Sequence, residues 1–450
     1  MRIGAAQNTP GPASGPIEIG PVASIASQEA PVPEYKYPPP VDYAPAYRYR
    51  GGKVESVVRN IPASIEKLKS VDVERYLREL VGYITANSEN DFVAVKRIHD
   101  WIALNVRYDA DSFFAGKIEN QDARGVVLSG LSVCEGYSNL FKRLCDMKGI
   151  QAKIVRGHGR GFGSSAFGSE IVDDSNHAWN IVHVDGNWYL VDVTWDSGYV
   201  EGRSYQPRYS TDYLFLRPEY FVYTHFPSSS QFQLLEKIVS KGEFKNRPLA
   251  KGNYFDSVVS FSPEMGKVNH LEGKAVFEIE TRDGRQIRLG VFKEDSRIEI
   301  PNASFFQQDG NKKVLYVSFP AAGNYTLRLF EKKGDESSYI DCAEYGVVAS
   351  SGVSIRYPTM FAPYAPGVSL VSPLENPLRV GTTYRFEISV PAKKYVALFA
   401  GGKFNRLAQD GGSLFSGSFA IPAGSKEVSI GCSDSESGRY DTLVSYEVGR

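Results

Sequence analysis

The sequence predicts a multidomain α+β protein, with a mixed core of helices and a hairpin followed by two all-β sandwich domains. The chain has 450 residues, which is more than one ordinary domain contains. From about residue 62 to about residue 150, apolar side chains recur mainly at helical spacing. Beyond about residue 250, short alternating runs separated by turn residues replace that spacing, as is typical of sandwich strands.

The composition excludes several classes of partner. The 51 basic and 52 acidic side chains form no long block of one sign, so the sequence indicates no nucleic-acid partner. No apolar run approaches the roughly 18 residues of a membrane span. The first residues, "MRIGAAQNTPGPASGPIEIG", lack the apolar centre of a secretory signal peptide. We therefore expect a cytoplasmic protein without a membrane span, although non-classical secretion stays open.

The four cysteines are widely spread and include no CxxC pair: Cys134, Cys145, Cys342 and Cys432. This spacing argues against a disulfide framework and against a zinc site, and it fits a reducing compartment. The sequence implies no metal and no organic cofactor.

Residues 1–58 are predicted to be a disordered tail. The segment is rich in Pro and Tyr, as in "PVPEYKYPPPVDYAPAYRYRGG", and shows neither a helical nor a strand period. Such a stretch cannot bury enough apolar surface to offset the entropy of the chain. We expect it to be partly polyproline-II.

Residues 59–245 are predicted to form the mixed core. Two helical patterns come first, "PASIEKLKSVDVERYLRELVGYITAN" and a segment that begins near Asn90. A third helix is expected over 131–149, where Gly149 and the apolar Ile150 resemble a Schellman-type end. The strand "IQAKIVRG" follows. Two further strands, "HAWNIVHV" and "NWYLVDVTW", flank Asp185-Gly186, which is a strong signal for a two-residue hairpin loop.

Residues 250–350 and 355–450 are predicted to be two β-sandwich domains. The segments "AVFEIETRDGRQIRLGVF" and "YRFEISVPAKKYVALFAG" superpose at an offset of 109 residues, which aligns Phe277 with Phe386. The segment "GNYTLRLFEKKGDES" has a looser counterpart near "SKEVSIGCSDSESGRYDTL". The two domains could therefore be duplicates of one another.

Cys134 is the predicted nucleophile, in the segment "SVCEGYSNLFKRLC". The apolar face of the third helix begins three residues later, so Cys134 falls in the first helical turn. A helix N-terminus favours the thiolate, and an amide there lacks a helical acceptor and can bind an oxyanion. Gly136 is expected to keep the space above this turn open. Cys145, inside the helix, is predicted to be a buried structural residue.

His177 and Asp192 are the predicted base and orienting acid, because the hairpin register brings them together. If Asp185-Gly186 is the loop, His177 lies opposite Thr194, and Asp192 lies diagonally on the same face. Diagonal neighbours are about 7–8 Å apart, within reach of a hydrogen bond. A three-residue loop would instead move Asp192 to the other face.

Other candidates for these roles are weaker. Asp196 is the alternative orienting acid, and Asp173 and Asp174 rank below it. His99 is interpreted as a satisfied helix histidine, His158 as a loop residue that could line a substrate path, and His183 as too far along its strand. Nothing distinguishes His225 and His270.

Residues 95–235 resemble the transglutaminase-like cysteine protease superfamily. The segments responsible are "GLSVCEGYSNLFKRLCDMKGIQAKIVRG", "NHAWNIVHVDGNWYLVDVTWDSG" and "DYLFLRPEYFVYTHFP". The last of them, with "QFQLLE", is similar to the kyphoscoliosis-peptidase group, which includes a fungal cytokinesis protein. The resemblance implies a transglutaminase-like (papain-like) core followed by immunoglobulin-like sandwich domains. It also implies Cys134 as nucleophile, His177 as base and Asp192 as orienting acid.

The chemistry implied is acyl transfer through a thioester, at a Gln side chain or a peptide bond of a protein substrate. The enzyme would be a peptidase, a deamidase or a transamidase, with cytoskeletal or cell-wall-associated partners. Trp101 and Tyr108 both stay open as the second oxyanion donor. The alternative is a non-catalytic binding scaffold, because some members of the group lack the triad. A third hypothesis is that the protein is a bacterial effector deamidase.

Overall fold

The structure is a computed structural model that describes residues 42–449, with gaps at 162, 169–171, 173–174, 295, 297, 335, 355 and 362–366. Most of the predicted tail, and the weaker acid candidates Asp173 and Asp174, lie outside the described residues. None of the helices in the described part of the chain has the length and apolar character that a membrane crossing needs.

The first domain packs helices against an antiparallel five-stranded sheet. Its helices are α1 (Ala44–Tyr47), α2 (Ser56–Arg59), α3 (Ala63–Glu66), α4 (Val73–Ile84), α5 (Asp91–Asn105), α6 (Ala110–Ala115), α7 (Ala123–Ser129), α8 (Cys134–Lys148), α9 (Val193–Ser197), α10 (Pro218–Phe221) and α11 (Lys241–Asn246). Its strands are β1 (Arg107–Tyr108), β2 (Leu131–Ser132), β3 (Ala152–Gly159), β4 (His177–Val184), β5 (Asn187–Val191), β6 (Gly198–Glu201), β7 (Ser204–Pro207), β8 (Leu214–Leu216) and β9 (His225–Pro227). The main sheet has the order β8-β5-β4-β3-β9.

The ends of the long helices are set by local chemistry. The side chain of Asn90 accepts a hydrogen bond from the Val93 amide at 3.0 Å, which starts α5 where the sequence predicts. At the end of α8, Gly149 has φ 87°. The Ile150 amide bonds the Cys145 carbonyl at 2.9 Å, as in a Schellman motif. The start of α8 is later than predicted, because Leu131 and Ser132 pair with β1 instead.

The Asp185-Gly186 loop is a two-residue hairpin, as predicted. Its residues have φ 49° and 77°, which a type I′ turn requires, and Val184 pairs with the residue after the loop. Pairing between β4 and β5 ends at Val191. The predicted pairing of His177 with Thr194 is therefore wrong, because the chain turns into α9 at Asp192, whose side chain caps that helix.

Residues 42–58 differ from the predicted tail. Tyr43, Ala46 and Val58 are buried in the core of the first domain. The Arg50 guanidinium binds the Asp256 carboxylate at 2.7 and 2.9 Å. Aromatic burial and this ion pair order a segment that has no periodic pattern, so the folded region begins before the predicted boundary at residue 58.

Two β-sandwiches follow, as predicted. The first consists of α12 (Gly252–Ser257), β10 (Leu249–Ala250), β11 (Val258–Ser262), β12 (Val268–Leu271), β13 (Lys274–Thr281), β14 (Arg285–Lys293), β15 (Ser304–Asp309), β16 (Lys312–Ser318), β17 (Gly323–Lys333) and β18 (Ile340–Ala349). The second consists of β19 (Thr359–Met360), β20 (Ser369–Ser372), β21 (Leu378–Arg379), β22 (Thr383–Ser389), β23 (Tyr395–Ala400), β24 (Lys403–Arg406), β25 (Ala408–Gly411), β26 (Leu414–Ala420), β27 (Glu427–Ser433) and β28 (Asp441–Gly449).

The two sandwiches place corresponding segments alike. Their smaller sheets have the orders β11-β13-β16-β15 and β20-β22-β26-β25. Phe277 on β13 and Phe386 on β22 are both buried at the second position of these sheets. The looser pair of segments forms β17 and β27, each of which lies between two other strands of the larger sheet. The placement agrees with the sequence alignment between the two domains.

Candidate active site

Cys134 is the first residue of α8, and its side chain is partly exposed, whereas the other three cysteines are buried. Val133, which precedes the helix, has no side chain that can cap it. The Gln121 side chain supplies the missing acceptor: its Oε1 lies 3.1 Å from the Val133 amide and 3.2 Å from the Gly136 amide. A residue twelve positions upstream of Val133 therefore fixes the helix end that carries the thiol.

The Cys134 amide points to no protein acceptor among the residues that the structure describes. An unpaired amide at the start of a 15-residue helix lies where the partial positive charge of the helix is greatest. Such an amide can stabilise an oxyanion next to the sulfur.

Gly136 has a different role from the predicted one. A Cβ at this position would lie 2.1 Å from the Ser132 hydroxyl and 2.7 Å from the Val126 side chain. The space beside Gly136 is therefore filled, and the glycine allows α7 and β2 to pack tightly against the first turn of α8.

His177, at the start of β4, contacts Asp192. Its Nε2 is 2.7 Å from Asp192 Oδ2, and the Cys134 side chain lies near enough to contribute to the pKa of the ring. The imidazole is nearly buried, and the ring of Trp195 stacks on it at 5.2 Å. Two of the three residues predicted for the site, His177 and Asp192, are thus in direct contact, and the role of Cys134 as nucleophile stays a prediction.

The electrostatics of the site favour a charged His177. Burial alone would lower the pKa of His177, but the charge and hydrogen bond of Asp192, and after them the Cys134 side chain, raise it to about 10. Burial would likewise raise the pKa of Asp192, but the two histidines beside it hold that pKa well below its usual range. His177 is therefore an imidazolium at neutral pH, and it contacts an ionised carboxylate.

His225, which the sequence did not distinguish, is the fourth member of the cluster. It is fully buried on β9, and its Nε2 lies 3.0 Å from the same Asp192 oxygen that His177 contacts. The sequence offers one signal for it: a histidine within the largely apolar run "DYLFLRPEYFVYTHFP" needs a polar partner if it is buried. The pairing of β9 with β3 is long-range, so no local sequence pattern predicts that the partner of His225 is Asp192.

Asp196 does not orient His177, which corrects the alternative assignment. His99 Nε2 binds Asp196 at 3.0 Å, and its Nδ1 binds Asp100 at 3.0 Å. Burial lowers the pKa of His99, but these two carboxylates outweigh it and raise the pKa to about 9. His99 is thus a satisfied helix histidine, as predicted, and it ties α5 to α9.

The two candidates for a second oxyanion donor differ in environment. Trp101 is buried in the core of the first domain. Tyr108 belongs to β1, beside the strand that leads to Cys134. Burial first, and then the charges of Cys134, Asp109 and Asp192, raise the pKa of Tyr108 above its usual value. Of the two candidates, Tyr108 is therefore the one whose pKa is affected by Cys134.

Three of these side chains could also hold a metal ion. Ligand atoms of His177, Asp192 and His225 all lie within 4.8 Å of one another, and two imidazoles with a carboxylate are a donor set for divalent transition metals. In this arrangement, however, the same atoms satisfy one another by hydrogen bonds, since both Nε2 atoms contact Asp192 Oδ2.

Comparisons with known proteins agree with this geometry. Residues 78–193 match the family model of the transglutaminase-like superfamily, and residues 241–358 match that of the KY-like, immunoglobulin-like domain. Kyphoscoliosis peptidase of Mus musculus is 28% identical over 300 residues, covering 64% of this chain and 44% of that protein. The Homo sapiens protein of the same name is 29% identical over 272 residues, covering 60% and 40%.

A third relative is the Lim and transglutaminase domain protein ltd-1 of Caenorhabditis elegans, 25% identical over 245 residues, covering 52% of this chain and 33% of that protein. The chain thus spans less than half the length of each of these relatives. This chain carries a transglutaminase-like domain followed by a KY-like, immunoglobulin-like domain, and it is similar to kyphoscoliosis peptidase.

Proposed function

We propose that this chain is a cysteine enzyme that transfers acyl groups of protein substrates through a triad of Cys134, His177 and Asp192. The observation that carries the proposal is the contact of His177 Nε2 with Asp192 Oδ2 at 2.7 Å, close to the partly exposed Cys134 at the start of α8. A nucleophile, a base and a group that orients the base are the parts that covalent acyl transfer requires.

The reaction follows from this geometry. The Cys134 thiolate attacks the carbonyl carbon of a peptide bond or a glutamine carboxamide, and the Cys134 amide stabilises the oxyanion that forms. The His177 imidazolium then gives its proton to the departing amine, and a thioester remains. Neutral His177 takes a proton from water or from a second amine, which attacks the thioester and restores the thiol.

The class of acceptor decides the product. Water as acceptor gives peptide hydrolysis or deamidation, and a lysine amine gives a crosslink. The relatives named kyphoscoliosis peptidase favour a protein substrate cleaved at a peptide bond. We further propose a cytoplasmic location with cytoskeletal or cell-wall-associated partners. The four cysteines, none of which forms a disulfide, support a reducing compartment.

Incubation of candidate protein partners with wild type and with Cys134→Ala, followed by mass spectrometry, tests the proposal. Fragments that only wild type produces indicate proteolysis, glutamine converted to glutamate indicates deamidation, and joined peptides indicate crosslinking. Identical products from the two proteins, together with retained partner binding, would instead favour the non-catalytic scaffold.

A further inference from the structure

The carboxylate of Asp192 is shared between two histidines, of which the proposed triad uses only one. Its Oδ2 lies 2.7 Å from His177 Nε2 and 3.0 Å from His225 Nε2. We infer that His225 is a positioning residue for the acyl transfer, holding Asp192 in the orientation that directs His177 toward Cys134. The inference rests on the proposed function of the triad.

The sheet brings the two imidazoles together across a strand that carries glycines at the contact. In the main sheet, β3 lies between β4, which begins at His177, and β9, which begins at His225. Gly159 on β3 pairs with His225, and a Cβ at Gly159 would lie 2.8 Å from the Cβ of His177. Because that side chain is absent, the two rings approach to 5.4 Å between centroids.

The chemistry of the contacts assigns the proton on His225. An ionised carboxylate can only accept hydrogen bonds, so His225 Nε2 must carry the hydrogen that meets Asp192. His225 Nδ1 is then the lone-pair nitrogen, and the Thr224 hydroxyl lies 2.9 Å from it. Burial lowers the pKa of His225 to about 4, which agrees with a neutral ring. His225 is a donor to Asp192 and takes no charge itself.

The surroundings of His225 hold this donor in place. Phe221 stacks on the ring at 4.0 Å, and Trp195 lies at 4.3 Å. The Trp195 amide also donates to Asp192 Oδ1 at 3.2 Å, so donors reach both carboxylate oxygens. A carboxylate held from both sides cannot rotate away while His177 gains or loses its proton.

The wild-type protein tests the assignment directly. The chain has six histidines, so selective labelling of histidine with nitrogen-15 gives few signals. The couplings between ring nitrogens and ring protons then identify the tautomer of each histidine. We expect His225 as the neutral Nε2–H tautomer. The Nδ1–H tautomer would overturn the inference, because Nε2 would then have no hydrogen to donate to Asp192.

Variants test the positioning role. His225→Gln keeps an N–H near the Nε2 position, whereas His225→Asn keeps one near Nδ1 and His225→Phe keeps none. We expect iodoacetamide to alkylate Cys134 about tenfold more slowly in His225→Phe and His225→Asn, the effect of one hydrogen bond to a charged group. His225→Gln should stay within about threefold of wild type. His183→Phe, at the other end of β4, is the control and should match wild type.

The outcomes separate this inference from the proposed function. If His177→Ala slows alkylation and the three His225 variants do not, the triad stands and the positioning role is refuted. If alkylation of Cys134 is insensitive to both histidines, the triad itself fails. Thermal unfolding identifies a variant that does not fold. If His225→Phe does not fold, two measurements still test the positioning role. One is the comparison of His225→Gln with His225→Asn, and the other is the tautomer of His225 in wild type.

Discussion

Replacement of Asp192 by asparagine should remove the charge that keeps His177 protonated. The pKa of His177 is raised from its ordinary value of 6.5 to about 10, and Asp192 is the strongest of the groups that raise it. Burial acts in the opposite direction and would prevail without that carboxylate, since it lowers the pKa of neighbouring His225 to about 4 even with Asp192 beside it. The pKa of His177 should therefore fall below 6.5. This change destabilises the imidazolium relative to the neutral ring by roughly 5 kcal/mol.

The loss of Cys134 reactivity in Asp192→Asn should depend on pH in a way that identifies its cause. A thiol without an imidazolium partner, with the reference pKa near 8.5, is ionised to only about 0.3% at pH 6 and to about three quarters at pH 9. We therefore expect Asp192→Asn to slow alkylation of Cys134 by iodoacetamide at least about 100-fold at pH 6. At pH 9 the two proteins should agree within about threefold.

The assay is peptide mapping of Cys134 after timed exposure to iodoacetamide, with Asp185→Asn in the hairpin loop as the matched control. Asparagine tolerates the positive φ of that position, so the control should fold and react like wild type. A rate for folded Asp192→Asn within threefold of wild type at pH 6 would contradict the assigned role of the Asp192 charge. An equal loss at pH 6 and pH 9 would contradict it as well.

Three further outcomes are expected. Gly136→Ala places a methyl group 2.1 Å from the Ser132 hydroxyl and should lower the free energy of unfolding by about 1–3 kcal/mol, measured with urea. Gln121→Ala removes the acceptor that caps α8 and should cost about 1 kcal/mol in the same measurement, whereas Gln121→Glu keeps an acceptor and should cost less. The pKa of His99 is raised to about 9, so its stabilising contribution is complete below pH 6.5 and is lost as the pH rises through about 9. The unfolding midpoint should fall over that range, and His99→Gln should reduce the fall; an unchanged profile in that variant would contradict the assignment.

Local patterns predicted those parts of the site that local chemistry determines. The end of α8 at Gly149 and the hairpin at Asp185-Gly186 both depend on residues that tolerate a left-handed backbone, and such residues are visible in sequence. The position of Cys134 follows from where the apolar face of its helix begins.

Contacts between distant segments were not predictable in this way. His225 reaches Asp192 through the pairing of β9 with β3, and Gln121 caps a helix that begins thirteen residues later. Neither contact produces a periodic pattern in the sequence, because the pairing partner of a strand is determined by the packing of the whole core. Asp192 also contacts His177 for a reason other than the predicted strand register. Its side chain caps α9 through one carboxylate oxygen and contacts His177 Nε2 through the other.

The proposed function requires His177 to activate the Cys134 sulfur for attack on a carbonyl carbon. The most direct measurement is the ultraviolet absorbance of the thiolate, taken as the difference between wild type and Cys134→Ala across a pH series. We expect a thiolate signal that is present at about pH 6 and absent there in His177→Ala. A wild-type signal that appears only near the reference pKa of a free thiol, about 8.5, and is unchanged in His177→Ala would contradict it.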